Sequence, residues 1–370
     1  MPDLLLDHPA PDFDELVRVL KGEQAPRRVH LVEVGIDPEV LQTIQESCLG
    51  EPWALPRGVH VLERPDERYY RQLVNLYYRL GYDFVPIWPF WVNNPPGRIR
   101  RATDTSDQPY STRNWVDESA ALIKSRADYE SFPWERIYAA PETFEMVARC
   151  LPDGMKMTVI ANLFENVFEN LLGYEGLCYL MHDDPQLVEH VFNGWGQVVY
   201  DHYASVIGLE AVGGIFHVDD MGFNTGTMIS PAELHRLLFP WLAKYATLAH
   251  QQNKPFFLHS CGNLYKKSPS VMDELIGPVG IDGFHSFQDV ILPVTEAKVR
   301  YGHRVALLGG VDMDKLSTLP ETELQVYLRE ILKICMPGGR FAFGSGNTIA
   351  NFVPLQNYVA LLKEARQWKE

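Results

Sequence analysis

The stretch KPFFLHSCGNL, residues 254–264, ends an apolar run with an imidazole, His259, and a thiol, Cys261, two positions apart. On a strand, residues i and i+2 point to the same face, so His259 and Cys261 converge while Ser260 points away. A thiolate and an imidazole on one face make two ligands for a soft-to-borderline divalent metal, with Zn²⁺ the first expectation. Gly262 then lets the backbone turn sharply behind the pair. A Cys–His nucleophilic pair is a competing chemistry, but neighbours on one strand seldom give the base an in-line approach. A buried cysteine beside a hydrogen-bonded histidine is the commoner outcome for an isolated H-x-C. The position of this pair, at a polar strand end, is what favours the metal.

Catalytic zinc takes three protein ligands and keeps one position open. The other cysteines, Cys48, Cys150, Cys178 and Cys335, fall in helical patterns, so the remaining donors are acidic: Glu165 in ANLFEN and the pair Asp219–Asp220 in HVDD. Adjacent strand residues face opposite ways, so one of the two aspartates faces the cavity. Asp220 is expected as general acid/base or substrate anchor, with Glu165 the second catalytic carboxylate and Asp219 the supporting partner. Trp88, Asn162, His217, Asp219, His285, Ser345 and Asn347 also stand at the ends of β-like runs and form the expected substrate-binding set. Trp88, Phe90, Trp91, Phe164 and Phe223 would line an apolar or cationic pocket, or else belong to the core. FGSGNTI lacks the lysine and spacing of a phosphate loop and reads either as a tight turn or as a close backbone approach to a ligand. Asp312, after a glycine pair, is open to a capping or a binding role.

Positioning such residues requires many strands that end at one rim. Eight near-continuous apolar runs occur, at 28–35, 83–88, 155–162, 213–220, 254–261, 281–287, 304–312 and 340–346, which is how parallel strands covered by helices look. Helical patterns alternate with them. The clearest is SPAELHRLLFPWLAKYATLAHQQ, with Ser230 as N-cap, Pro231 at the first helical position, Glu233 completing a capping box, and Pro240 predicted to kink or split it. The pattern predicts a (β/α)8 TIM barrel, one domain over residues 1–370. A doubly wound sheet would gather its polar residues at one switch point, whereas here they spread over most of the later strand ends. Residues 89–131 form a long insertion containing Pro, Gly and Arg, read as a lid or binding element or as a surface excursion.

Composition narrows the function classes. Of 370 residues, 46% are hydrophobic and 22% charged, and 48 acidic against 33 basic side chains leave a formal charge of −15. An acidic chain whose tightest basic cluster is RIRR (98–101) argues against non-specific nucleic-acid or membrane binding. No signal peptide is visible, and no run reaches the roughly 18 apolar residues of a membrane span. Five scattered cysteines without a disulfide framework predict a reduced, cytoplasmic protein.

At these residues the chain resembles the uroporphyrinogen decarboxylase superfamily, which holds the decarboxylase and the zinc-dependent methyltransferases that work with corrinoid proteins. The resemblance is carried by ISPAELHRLLFPWLAKYATLAHQQNKPFFLHSCGNL, LLGYEGLCYLMHDDPQLVE, LLGGVDMDKL and PGGRFAFGSGNTIANFVPLQNY. It implies a (β/α)8 barrel. The decarboxylase signature of the type RQAGRY is absent, the matching region reading YYRQLVNLYYRLGYDFVPIWPF, and the methyltransferases use H-x-C for zinc. The methyltransferase branch is therefore the closer one. It implies zinc on His259 and Cys261, and partners that include a small methylated substrate and a corrinoid protein, with a homodimer left open. Thiol-methylating members supply a further cysteine near the last strand, where this chain has Ser345; an oxygen donor such as Glu165 or Asp220 would take that place. The alternatives are a metal-free decarboxylase of a tetrapyrrole or aromatic carboxylate, with Arg98, Arg100 or Arg101 holding carboxylates, and a non-catalytic corrinoid- or tetrapyrrole-binding module.

Overall fold

Apolar side chains on both faces of consecutive strands drive them into the middle of a layered structure, and the chain does this with strands that all run parallel. A computed structural model describes residues 4–54, 66–97, 99–102, 113–117, 121–266 and 270–369. Its main sheet has seven strands: β1 (Phe84–Ile87), β2 (Lys156–Val159), β3 (Val212–Val218), β4 (Phe256–His259), β5 (Gly283–His285), β6 (Ala306–Leu308) and β7 (Phe341–Ala342), neighbours in space in chain order. The curved sheet is barrel-like, but it is not the closed eight-stranded barrel that the sequence predicts.

The missing strand is the first apolar run, 28–35. It touches the sheet on the β7 side through an isolated bridge, Leu31 to Phe343, and Ile36 just beyond it bridges Ile349. Toward β1 its links are side chains: Arg28 Nη2 and His30 Nδ1 donate to the Asp83 carboxylate at 2.6 and 2.7 Å. On the β7 side the backbone still pairs, the Val32 amide donating to the Phe343 carbonyl at 2.9 Å and the Phe343 amide to that of His30 at 2.8 Å, whereas toward β1 side chains stand where a ladder would have used the backbone.

Alternation along the strands sorts inside from outside. Phe84, Phe216, Val218, Phe257, Leu308 and Ala342 share one buried cluster with Val32 and Val34, plugged by Phe13, Leu16 and Leu20 of the helix Phe13–Lys21. That helix starts on Asp12, whose side chain accepts from the Glu15 amide at 2.7 Å, and stops at Gly22 with φ 72°. The other strand face packs under the surrounding helices in a larger cluster. Interior positions therefore have the parity of Phe216, Val218 and Phe257, which places Asp220, His259 and Cys261 on the interior side at the carboxyl ends of β3 and β4. His217 and Asp219 point outward.

The proline prediction holds: helices Pro231–Leu237 and Phe239–Gln251 are separate, and Ser230 caps the first by accepting from the Glu233 amide at 3.2 Å. Residues 89–131 are not structureless. Trp91–Val92 pairs antiparallel with Tyr138–Ala139, Ile99–Ala102 with Arg113–Val116, and Arg126–Ser131 is helical. No helix among the described residues is long and apolar enough to cross a membrane.

Candidate metal centre

β4 delivers His259 as its last residue, in register with Val218 of β3 and His285 of β5. Two residues on, Cys261 is fixed from both sides. Its amide donates to Asp220 Oδ1 at 2.6 Å, and Gly262 behind it adopts φ 106°. A Cβ on Gly262 would lie 2.3 Å from the carbonyl carbon of Gly222, so only glycine allows this turn to rest on the small hairpin of Gly222–Phe223 and Gly226–Thr227. The donor atoms of Asp220, His259 and Cys261 all lie within 4.8 Å of one another. His259 Nε2 is 3.3 Å from Asp220 Oδ1 and 3.9 Å from Cys261 Sγ. One carboxylate, one imidazole and one thiolate carry two negative charges, which matches a divalent cation and leaves a coordination position open.

Electrostatics separate the two acids. Burial alone would raise the Asp220 carboxyl, but His259 and the Cys261 amide outweigh it and hold the group below its usual range. Burial, and then the Asp220 carboxylate, push the Cys261 thiol well above its ordinary value. A cation bound among the three atoms would reverse the second effect, since a coordinating thiol is deprotonated outright. Two side chains already face the sulfur: Asn347 Nδ2 donates at 3.2 Å and Ser286 Oγ lies at 3.2 Å. Ser286 follows β5 with φ 101°, in the region that favours glycine. Such a conformation costs about 1–3 kcal/mol and persists where the surroundings impose it.

Glu165, offered with Asp220 as an oxygen ligand, is not in the cluster. Its carboxylate accepts from the Asp220 amide at 3.2 Å and from Asn162 Nδ2 at 3.0 Å. Burial, then the charges of Asp220 and Asp219, push it up to about 8. Asp219 spends one oxygen on the Leu163 and Glu165 amides, at 3.0 and 3.1 Å, and the other on His217 Nε2 at 2.7 Å. The far nitrogen of His217 meets Tyr203 OH at 2.9 Å, and both His217 and Asp219 are fully buried outside the barrel interior. They brace the β3 end from behind.

On the other side, His285 Nδ1 is 2.6 Å from His259 Nδ1, and His285 Nε2 is 3.0 Å from the Ser345 carbonyl oxygen. Ser345, fully buried, donates its amide to Glu33 Oε1 at 2.9 Å and its hydroxyl to the other oxygen of that carboxylate. Burial pushes Glu33 up to about 8, against the pull of the Ser345 hydrogen bonds.

The remaining candidates scatter. Trp88, nearly half exposed, borders a surface recess of about 200 Å³ with Tyr69, Tyr70 and Phe90. Trp91 packs on Trp195 and His202, and Phe164 is core, while Phe223 is exposed on the hairpin. Asp312 is a cap: Oδ1 accepts from the Asp314 and Lys315 amides at 3.0 and 3.2 Å. Cys48, Cys150, Cys178 and Cys335 are free thiols on helices, outside the cluster. Arg98 and the side chains of Arg100 and Arg101 lie outside the described residues. Ser286 and Glu33 escaped the sequence reading. The signal for Glu33 was available, since an acid inside the apolar run VHLVEVG must find a buried partner.

With the geometry in place, comparison with known proteins adds the following. A model of the uroporphyrinogen decarboxylase (URO-D) family matches residues 107–368. No curated protein matches the chain. Among solved structures, a methyltransferase from Methanosarcina mazei superposes with a TM-score of 0.65 at 17% identity, over 96% of this chain and 98% of that one. A protein described as a vitamin-B12 independent methionine synthase, from Listeria monocytogenes, gives a TM-score of 0.46 at 12% identity, over 94% and 99% of the two chains. At these identities the first likeness concerns the fold.

Proposed function

This chain belongs to the uroporphyrinogen decarboxylase family, and from that premise we propose that it is a zinc-dependent methyltransferase. It would move a methyl group between a small methylated substrate, or a thiol, and a corrinoid carried by a partner protein. The observation that carries the reading is the meeting of Asp220, His259 and Cys261 donor atoms within 4.8 Å at the carboxyl rim of the sheet. The fold in common with the Methanosarcina mazei methyltransferase agrees with it.

Zinc, when bound, supplies Lewis acidity that stabilises a heteroatom carrying negative charge. The chain's own residues do the rest. Asp220 both completes the donor set and holds the Cys261 amide, so ligand and turn are placed together. Asn347 and Ser286 face the sulfur and steady its charge. Glu165 accepts from the Asp220 amide while standing outside the donor set, and so steadies Asp220 without competing for the cation. An oxygen ligand in the third place makes the site harder and more Lewis-acidic than one with two thiolates, which suits polarising a methyl ether or amine.

The test measures metal content and methyl transfer together. Purified protein is expected to carry about one zinc per chain, and the His259→Ala/Cys261→Ala variant to lose it. Methylation of cob(I)alamin by a methyl donor should disappear in the same variant. An active protein without metal would sink the proposal in favour of a decarboxylase, and a folded protein without turnover would favour a binding module.

A further inference from the structure

His285 sits beside His259 in the sheet register, their ring centroids 4.9 Å apart, yet its donor atoms belong to no ligand set. Its bonding is nonetheless restrictive. The two Nδ1 atoms are 2.6 Å apart, which leaves room for one proton between them. The other nitrogen, Nε2, is 3.0 Å from the Ser345 carbonyl oxygen, and a carbonyl can only accept. Nε2 of His285 therefore carries a proton. His285 is fully buried, lies edge-on to the Phe216 ring, and no carboxylate among the described residues hydrogen-bonds it, so it is the neutral imidazole. A neutral imidazole protonated at Nε2 has its lone pair on Nδ1, so the shared proton belongs to His259 Nδ1. That leaves Nε2 as the nitrogen that His259 turns toward Asp220 and Cys261, 3.3 and 3.9 Å away.

We infer that His285 is a positioning residue that holds the His259 ring by accepting from its Nδ1–H, so that Nε2 is the nitrogen delivered to the cluster. A second observation supports a built contact. Gly309, with φ 76°, passes so close that a Cβ there would lie 2.2 Å from the Ser345 oxygen and 2.7 Å from His285 Nε2. The Ser345 carbonyl is in turn held in place by Glu33, which takes the amide of the same residue at 2.9 Å. Four segments, at 33, 285, 309 and 345, thus converge on the orientation of one ring. Partners of this kind typically change metal affinity by about 10- to 100-fold when removed.

The inference rests on the proposed metal site for its affinity test, and a tautomer measurement keeps it independent. The affinity test compares zinc binding, by competition with a chromophoric chelator, in the unaltered protein, His285→Leu and His285→Asn. Asparagine places a carbonyl oxygen near the lost Nδ1 and can accept from His259; leucine cannot. His285→Leu is expected to bind zinc about 10- to 100-fold more weakly, with His285→Asn close to the unaltered protein. Equal affinity in all three, or equal loss in both variants, overturns the inference. The second measurement is ¹⁵N NMR of histidine-labelled, unaltered protein, with His259 assigned by its loss in His259→Gln. Without metal and with it, His259 should carry its proton on Nδ1. A signal from unprotonated Nδ1 overturns the relay even if zinc binds. Absence of zinc binding together with a protonated Nδ1 would leave the relay standing and the methyltransferase reading overturned.

Discussion

Asp220→Asn separates the two roles given to Asp220 because it should move two observables in opposite directions. The carboxylate and the Cys261 sulfur belong to a cluster spanning no more than 4.8 Å. At an effective dielectric of about 20, two charges at that separation interact by about 3.5 kcal/mol, equivalent to roughly 2.5 pH units in the thiol's ionisation. In metal-free protein, after chelation, the variant should therefore hold about 300-fold more Cys261 thiolate at a fixed pH below its ionisation range. Nucleophilicity falls as a thiol becomes more acidic, which removes about half of that gain on a logarithmic scale. The net expectation is alkylation of Cys261 by iodoacetamide about 20-fold faster at pH 8, read by mass spectrometry of the Cys261 peptide. Exposed Cys178 serves as an internal control. Burial remains the larger cause of the raised thiol, so the variant should still react more slowly than Cys178. Zinc affinity, by contrast, should fall by more than about 100-fold, since a ligand rather than a partner of a ligand is lost. Unchanged or slower alkylation would refute the electrostatic link between the two side chains, and unchanged zinc affinity would refute Asp220 as a ligand.

Gly262→Ala forces a Cβ to 2.3 Å from the Gly222 carbonyl carbon at φ 106°, and should cost about 1–3 kcal/mol in a thermal or denaturant melt and weaken zinc binding as Cys261 shifts. Ser286→Gly should relieve backbone strain, raising stability by about 1 kcal/mol, while zinc binding weakens through loss of the hydroxyl at the sulfur. Glu33 supplies a pH signature: its folded value of about 8 exceeds the ordinary 4.5, so the folded state binds the extra proton. Stability should then be fullest below about pH 4.5 for this group and fall by up to about 1.4 kcal/mol per pH unit until pH 8, as the proton is lost. Melting temperatures of Glu33→Gln across that window should show a shallower decline than the unaltered protein, and an identical decline would locate the effect elsewhere.

Parity made the metal-ligand side of this site readable in the sequence. The apolar residues Phe216, Val218 and Phe257 mark the interior face, and the same alternation carries Asp220, His259 and Cys261 onto it; it also turns His217 and Asp219 outward, although the sequence reading had placed both in the substrate-binding set. The parallel strands were readable for the same reason, as were the helix start at Ser230 and the break at Pro240, because each rests on local chemistry. The contacts around the site were less so. Ser345 and Glu33 stand 312 residues apart in the chain, and nothing local to either announces the other. Ser286 looked like an ordinary strand residue, because a positive φ is imposed by neighbours and not by serine. The 28–35 run was read as a strand from its valines. It pairs with the β7 side only at an isolated bridge, and its two charged residues and histidine bond to Asp83 and Ser345, contacts with residues remote in the chain that nothing local announces.

The central claim is that one zinc is held by one thiolate, one imidazole and one carboxylate, and zinc K-edge X-ray absorption of the purified protein measures this directly. One sulfur at about 2.3 Å and the remaining scatterers nitrogen or oxygen at about 2.0–2.2 Å are predicted, with the sulfur shell absent from Cys261→Ser. Two or more sulfur scatterers, or a sulfur shell that survives in Cys261→Ser, would contradict the account.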